Sequence, residues 1–197
     1  MSESLSRPVP LLNIANVLTV LRILMVPVFI WFMLVDAGAG GLFRWLAVLV
    51  FAAAIYTDKL DGDIARSRGL ITNFGKIADP IADKLLIGSA LILLSALGEL
   101  PWWVTVLILV REVGITLLRF VVIKYGVMPA SRGGKLKTVL QTAAIFLYLM
   151  PLEQWLGPAG GIYAAVSFAV MMVAVLVTVV TGVDYVAKAW RLRAAAR

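Results

Sequence analysis

Uncharged, largely apolar runs alternate along the chain with short polar, Gly- or Pro-containing breaks. The pattern predicts six helices, over residues 17–36, 42–66, 76–98, 102–125, 136–153 and 161–187. A helix needs about 20 residues to cross ~30 Å of hydrocarbon, so these lengths predict an all-α integral membrane protein with six transmembrane helices. Little chain is left over. Residues 1–197 read as a single membrane domain with a juxtamembrane segment at 1–15 and a basic tail at 188–197. Pro8, Pro10 and the apolar residues up to Ile14 predict a short stretch lying on the membrane surface. The opening MSESLSRPVP lacks the basic leader of a secretory signal, and the first apolar segment is expected to stay uncleaved, although AGAGG at 37–41 imitates a cleavage site.

The runs differ in a way that bears on function. Helix two has only 13 uncharged residues (45–57), helix three 14 (85–98), and helix four 11 (100–110) before Arg111 and Glu112; helix six lies in a stretch of 30 (154–183). The second, third and fourth helices therefore carry charge into the membrane boundary, all at the same end. Charge at that depth faces protein or a water-filled cavity, so a polar cavity opening on one side is expected.

Composition agrees with the membrane reading. Hydrophobic residues make up 62% of the 197 positions and charged ones 15%, against nearly half and about a quarter in a soluble domain. Eighteen Lys and Arg against 11 Asp and Glu give a net charge of +7. Arg7, Arg22, Arg66, Arg68, Lys76, Lys124, Arg132, Lys135, Lys137, Lys188, Arg191, Arg193 and Arg197 fall on one side of the spans and Arg44 on the other. The positive-inside rule then predicts cytoplasmic termini and a cytoplasm-facing cavity, in the inner (plasma) membrane of the cell. Trp45, Trp102, Trp103 and Trp155 fall near the predicted outer ends, where indole rings settle. The basic surplus reads as membrane anchoring, with no nucleic-acid partner expected.

Cys and His are both absent. That excludes disulfides, thiolate or imidazole metal sites and His-activated nucleophiles, leaving carboxylates, Lys, Arg, hydroxyls and backbone. Carboxylates supply the densest pattern. Residues 57–66 read TDKLDGDIAR and 75–84 read GKIADPIADK. Asp58 and Asp61, three apart, share a helix face, as do Asp79 and Asp83, four apart. The two helices are antiparallel across a turn of about eight residues, which places the two faces at similar depth. Four converging negative charges need protons or cations. Oxygen-only ligands suit Mg²⁺, Mn²⁺ or Ca²⁺, and four carboxylates suffice for two such ions, an arrangement typical of phosphoryl chemistry. The same acids also admit a plain structural reading, paired with Lys59, Arg66, Lys76 and Lys84. Gly62 and Ala65 leave room for a ligand against the backbone of helix two, Gly75 lets the chain turn into helix three, and Arg66 is placed to reach a phosphate or a neighbouring acid. Asp63, about 200° from Asp61, reads as a solvated or structural acid.

Asp58, Asp61, Gly62, Ala65, Arg66, Gly75, Asp79 and Asp83 match DxxDGxxAR, eight residues, GxxxDxxxD without departure. In this the chain resembles the CDP-alcohol phosphatidyltransferases, and the six-span layout is similar to theirs. The resemblance implies transfer of a phosphatidyl group from CDP-diacylglycerol to an alcohol, release of CMP, two Mg²⁺ or Mn²⁺ ions and a homodimer in the lipid bilayer. It also implies that Asp58, Asp61, Asp79 and Asp83 ligate metal, that Asp83 takes the proton of the attacking hydroxyl, and that Gly62, Ala65, Arg66 and Thr72 hold the CDP-lipid. A carboxylate that also ligates dications is a weak base, so that proton transfer needs help from metal polarisation of the hydroxyl or from attack running ahead of it.

NVLTVLR at 16–22, Thr57, REVGITLLR at 111–119 and GGKLKT at 133–138 are similar to the branch of that family that uses glycerol 3-phosphate. The physical content is a set of cations, Arg111, Arg119, Lys135 and Lys137, able to clamp the acceptor's phosphate. Lys135 and Lys137 equally suit lipid headgroups, and Arg111 equally suits an ion pair with Glu112. Asn16, Thr19 and Arg22 begin the first helix at the inner face and suit the donor's phosphates or ribose, with Asn16 alternatively a helix N-cap. Inositol phosphate or another alcohol is the alternative acceptor, and a divalent-cation transporter the remote alternative. The outer half of the chain disfavours a transporter, since Asp36, Arg44, Glu99 and Glu153 all fall at predicted loops.

Overall fold

The computed structural model describes residues 13–70, 72–122 and 132–195, and every regular element among them is helical. The helices are α1 (Ile14–Asp36), α2 (Leu42–Arg68), α3 (Asn73–Ala96), α4 (Trp102–Val122), α5 (Arg132–Leu149), α6 (Leu152–Trp155) and α7 (Gly160–Ala195), with a 3-10 turn at Gly157–Ala159. Each of the six apolar runs contains a long helix, but the fifth, expected over 136–153, begins at Arg132 and breaks after Leu149, ahead of Pro151. The short α6 and the 3-10 turn fill the break that Pro151, Gly157 and Pro158 impose. Helix α7 runs past the predicted end at 187, because residues 188–195 are good helix formers and Lys188 pairs with Asp184 one turn back, at 2.6 Å. The surface stretch expected around Pro8 and Pro10, the predicted end of helix four beyond Val122, and Lys124 lie outside the described residues, as does the Arg119 side chain.

The chain forms two compact units, residues 1–90 and 91–197. In the first, α1 and α2 pack antiparallel along Phe29, Met33, Ala47, Phe51 and Ala54, all fully buried, with the Phe29 and Phe51 rings 5.8 Å apart. Asn13 caps α1, accepting from the Asn16 amide at 3.0 Å. At the other end of α1 the buried Asp36 carboxylate accepts from the amides of Gly40 and Gly41, at 3.1 and 2.9 Å, closing the turn into α2. Helix α2 stops at Gly69, whose φ of 64° is the left-handed conformation that glycine adopts at no steric cost, while the Leu70 amide donates back to the Ala65 carbonyl at 2.9 Å. Thr72 then caps α3, its hydroxyl accepting from the Gly75 amide at 3.0 Å.

In the second unit the last turns of α3 meet α4 through Ser95 and Thr105, whose hydroxyls lie 2.7 Å apart, and α7 packs on both α4 and α5. Tyr163 of α7 donates to the Leu147 carbonyl of α5 at 2.6 Å. A groove of about 760 Å³ between α4 and α7 is lined by Val110, Gly114, Val183 and Trp190 among others.

Among the described residues two segments, Ile14–Asp36 and Gly157–Arg191, are long and apolar enough to cross a membrane. In α2, α3, α4 and α5 charged residues interrupt the apolar run. All of these helices nevertheless leave large apolar side chains exposed, among them Leu24, Leu49, Ile81, Val110, Val139 and Leu176. So much exposed oil has lipid or another apolar surface as its natural neighbour.

Candidate active site

Asn16, Thr19 and Arg22 follow one another at three-residue spacing and line one face of α1. That face is buried, Arg22 completely, and it meets the acids of α2 and α3. The two ends of the Arg22 guanidinium part: Nη1 donates to Asp58 and Nη2 to Asp61. Its Nε–H is buried without a partner. Asp61 is itself buried, at 3% exposure, whereas the Asp58 side chain is about half exposed, at 47%. The Thr19 hydroxyl lies 2.6 Å from Asp79 Oδ1 and 3.5 Å from Asp61 Oδ2, so one hydroxyl touches carboxylates from both helices. Asp83 is half-buried one turn beyond Asp79 on α3.

Asn16 and Thr72 complete this end of the unit. Thr72 donates to Asn16 Oδ1 at 2.8 Å while capping α3. The N-cap of α1 is Asn13, and the Asn16 side chain is turned to Thr72 instead. Gly75 is favoured by close approach: a Cβ there would sit 3.1 Å from Asn16 Oδ1, 3.3 Å from Thr72 Oγ1 and 3.7 Å from Asp79 Oδ2. A Cβ at Gly62 would meet the Arg66 guanidinium at 3.2 and 3.3 Å. Arg66 pairs with the exposed Asp63 at 2.9 Å, an acid that the sequence reads as solvated or structural, and Ala65 is half-buried beside it.

Asp58, Asp61 and Asp79 are thus linked through Thr19 and Arg22, with Arg22 filling the interior position between Asp58 and Asp61, while Asp83 lies one turn further along α3. Among the described residues no three acids already converge as a ligand set. The donor chemistry fits a hard divalent ion all the same: it is oxygen throughout, spread over two helices, with a pocket at Gly75 that any side chain would fill.

A second polar cluster lies in the other unit. Glu112 of α4 accepts from Arg111 at 3.0 Å and from Lys137 of α5. Arg111 also donates to Thr181 of α7 at 3.1 Å, and its guanidinium lies 6.0 Å from the Tyr185 ring centroid. Gly182 gives it room, since a Cβ there would be 3.3 Å from Arg111 Cγ. Of the cations expected at an acceptor phosphate, Lys137 is buried on Glu112 and Arg111 holds the expected internal pair, while Lys135 is exposed. The sequence reading missed Lys137–Glu112, a pairing between two helices that no local spacing reveals. It also missed Arg22 as the partner of Asp58 and Asp61, although a lone Arg on a polar stripe of an apolar helix requires an acid somewhere.

The family model described as CDP-alcohol phosphatidyltransferase matches residues 12–180. A protein of Mycobacterium tuberculosis (strain ATCC 25618 / H37Rv) named "Probable phosphatidylglycerophosphate synthase" is 54% identical over 179 residues, which cover 91% of this chain and 82% of the relative. The "CDP-diacylglycerol--glycerol-3-phosphate 3-phosphatidyltransferase" of Bacillus subtilis (strain 168) is 35% identical over 191 residues, 90% of this chain and 95% of that protein. A "Cardiolipin synthase (CMP-forming)" of Streptomyces coelicolor (strain ATCC BAA-471 / A3(2) / M145) is 35% identical over 118 residues, 60% of this chain and 55% of its own length.

Proposed function

The chain belongs to the CDP-alcohol phosphatidyltransferase family, and from that premise we propose that it transfers the phosphatidyl group of CDP-diacylglycerol to sn-glycerol 3-phosphate, giving phosphatidylglycerol phosphate and CMP. The observation that carries this reading is the meeting of Asp61 and Asp79 at the Thr19 hydroxyl, with Asp58 held beside them by Arg22. Relatives named for this reaction at 54% and 35% identity support the choice of acceptor.

Asp58, Asp61, Asp79 and Asp83 are the residues that would hold two Mg²⁺ or Mn²⁺ ions. Such ions, when bound, offset the charge of the donor's diphosphate and of the leaving CMP. The chain's own groups do the rest. Gly62, Ala65 and Arg66 form the surface of α2 against which the CDP moiety rests, and Asn16, Thr19 and Thr72 orient it. Asp83 receives the proton of the primary hydroxyl of glycerol 3-phosphate as that oxygen attacks the phosphorus bearing diacylglycerol. We assign the acceptor's phosphate to Arg119 and Lys135, together with Lys137 and Arg111. Holding both reactants in place substitutes position for collision, and that can supply a large part of the rate.

The placement proposed is a multi-pass protein of the inner membrane, six helices spanning, as one catalytic domain and a homodimer, with both termini and the site cytoplasmic. The one-sided distribution of Lys and Arg and the exposed apolar side chains of all six long helices support it. An apolar groove such as that between α4 and α7 suits an acyl chain.

CMP release from CDP-diacylglycerol, measured in detergent with glycerol 3-phosphate, inositol phosphate or serine supplied separately, tests the reading. Release only with glycerol 3-phosphate, abolished by EDTA and restored by Mg²⁺ or Mn²⁺, is expected. Release with inositol phosphate alone would reassign the acceptor. Turnover indifferent to EDTA would remove the metal chemistry.

A further inference from the structure

We propose that Arg22 is a built-in counter-cation of the carboxylate site, offsetting part of the charge of Asp58 and Asp61 in the metal-free protein and competing with a divalent cation for them. Three observations converge. The guanidinium is wholly buried, so its charge must be met by protein. It is met by two acids from successive turns of α2, each through a single nitrogen, rather than by the two-pronged grip on one carboxylate that guanidinium favours. The third donor, Nε–H, is buried with nothing to receive it. A fork pulled apart between two acids with one prong idle is an incomplete fit, and it occupies one oxygen of each of two acids that a metal ion would need.

The inference rests on the metal reading above and deepens it. Asp58 and Asp61 cannot serve a guanidinium and a dication through the same oxygens, because the two cations would repel at contact distance. Arg22 is therefore a positioning residue: it holds the acids close and in place before loading, and it weakens metal binding by the amount of that competition. A clamp that stayed in place during loading would instead leave affinity unchanged or support it.

The test is Mn²⁺ binding to the full-length protein in detergent, without lipid donor or acceptor, read by electron paramagnetic resonance of free Mn²⁺ and by the melting temperature in EDTA and in Mn²⁺. Removing a like charge within ~4–6 Å favours the incoming cation strongly, so Arg22→Gln should bind Mn²⁺ about tenfold more tightly. It should also melt lower in EDTA, so that the gain in melting temperature on adding Mn²⁺ is larger than in the wild type. Arg22→Lys keeps the charge but reaches one acid at a time, and should fall between the two; it carries the test if the Gln variant does not fold. Equal or weaker Mn²⁺ binding in these variants, with normal binding by the wild type, would overturn the competition alone. A wild type that binds no Mn²⁺, indistinguishable from Asp61→Asn, would overturn the metal reading and this inference with it.

Discussion

Thr72 Oγ1 donates to Asn16 Oδ1 across 2.8 Å while it accepts from the Gly75 amide, so the cap of α3 is also the tie between α3 and α1. The tie sets the register of the next turn on each helix. Three residues beyond Asn16 stands Thr19, and four beyond Gly75 stands Asp79, and these two are in contact.

Gly75→Ala tests the tie. The added Cβ would sit 3.1 Å from Asn16 Oδ1 and 3.3 Å from Thr72 Oγ1, so the amide or the hydroxyl must yield. Overpacking of this kind costs about 1–3 kcal/mol, seen as a lower melting temperature in detergent together with a raised KM for CDP-diacylglycerol. Gly114→Ala is the matching control. Nothing lies within 4 Å of that Cβ, and Ala is favoured over Gly inside a helix by up to about 1 kcal/mol, so stability should hold or rise.

Asp61→Asn removes a charged oxygen without changing volume. Metal-dependent turnover should fall by at least about a hundredfold, with the protein still recovered from the membrane fraction at normal yield. Full activity in the CMP-release assay would take Asp61 out of the site.

Thr19→Val is nearly isosteric and deletes the one hydroxyl shared by Asp79 and Asp61. A hydrogen bond to a charged group is worth about 1.5–3 kcal/mol. The expected loss lies toward the low end because Asp79 is only half-buried. Turnover should drop more than donor binding, visible as a lower kcat at little-changed KM.

Lys135 and Lys137, two residues apart, should behave differently. Lys137 is 6% exposed and seated on Glu112. Breaking a buried pair from one side costs about 3–5 kcal/mol, less here because Arg111 remains on the same carboxylate. Lys137→Ala should therefore lower the melting temperature, whereas Lys135→Ala should leave it alone and raise KM for glycerol 3-phosphate more than for the lipid. Matching effects of the two substitutions on both readouts would remove the distinction.

How far the sequence alone reaches is clear from these residues. The apolar runs set where the long helices lie, because a helix in oil needs an uninterrupted stretch. Their ends shift by a few residues wherever a cap decides, as Asn13 does for α1 and Thr72 for α3. Spacing within one helix is equally legible, hence the shared face of Asp58 and Asp61, whereas Arg66, open in the sequence between a phosphate and a neighbouring acid, is seen on Asp63 only in the structure. Contacts between helices distant in sequence are another matter. Nothing in REVGITLLR or GGKLKT says that Lys137 will settle on Glu112, since both belong to surfaces that only packing brings together. Arg22 is an intermediate case: its need for an acid can be read from the sequence, but the choice of Asp58 and Asp61 cannot.

The passage from α2 to α3 is stapled at both edges, by Leu70 folding back on Ala65 and by Thr72 closing over Gly75. With Thr72 fixed on Asn16, the first turn of α3 works as a ruler, because each extra helical residue turns the helix after it by ~100°. One amino acid inserted between Gly75 and Asp79 would swing Asp79 off the side that greets Thr19, leaving every side chain intact and the arrangement gone. That single turn is thus an unforgiving place to lengthen the chain.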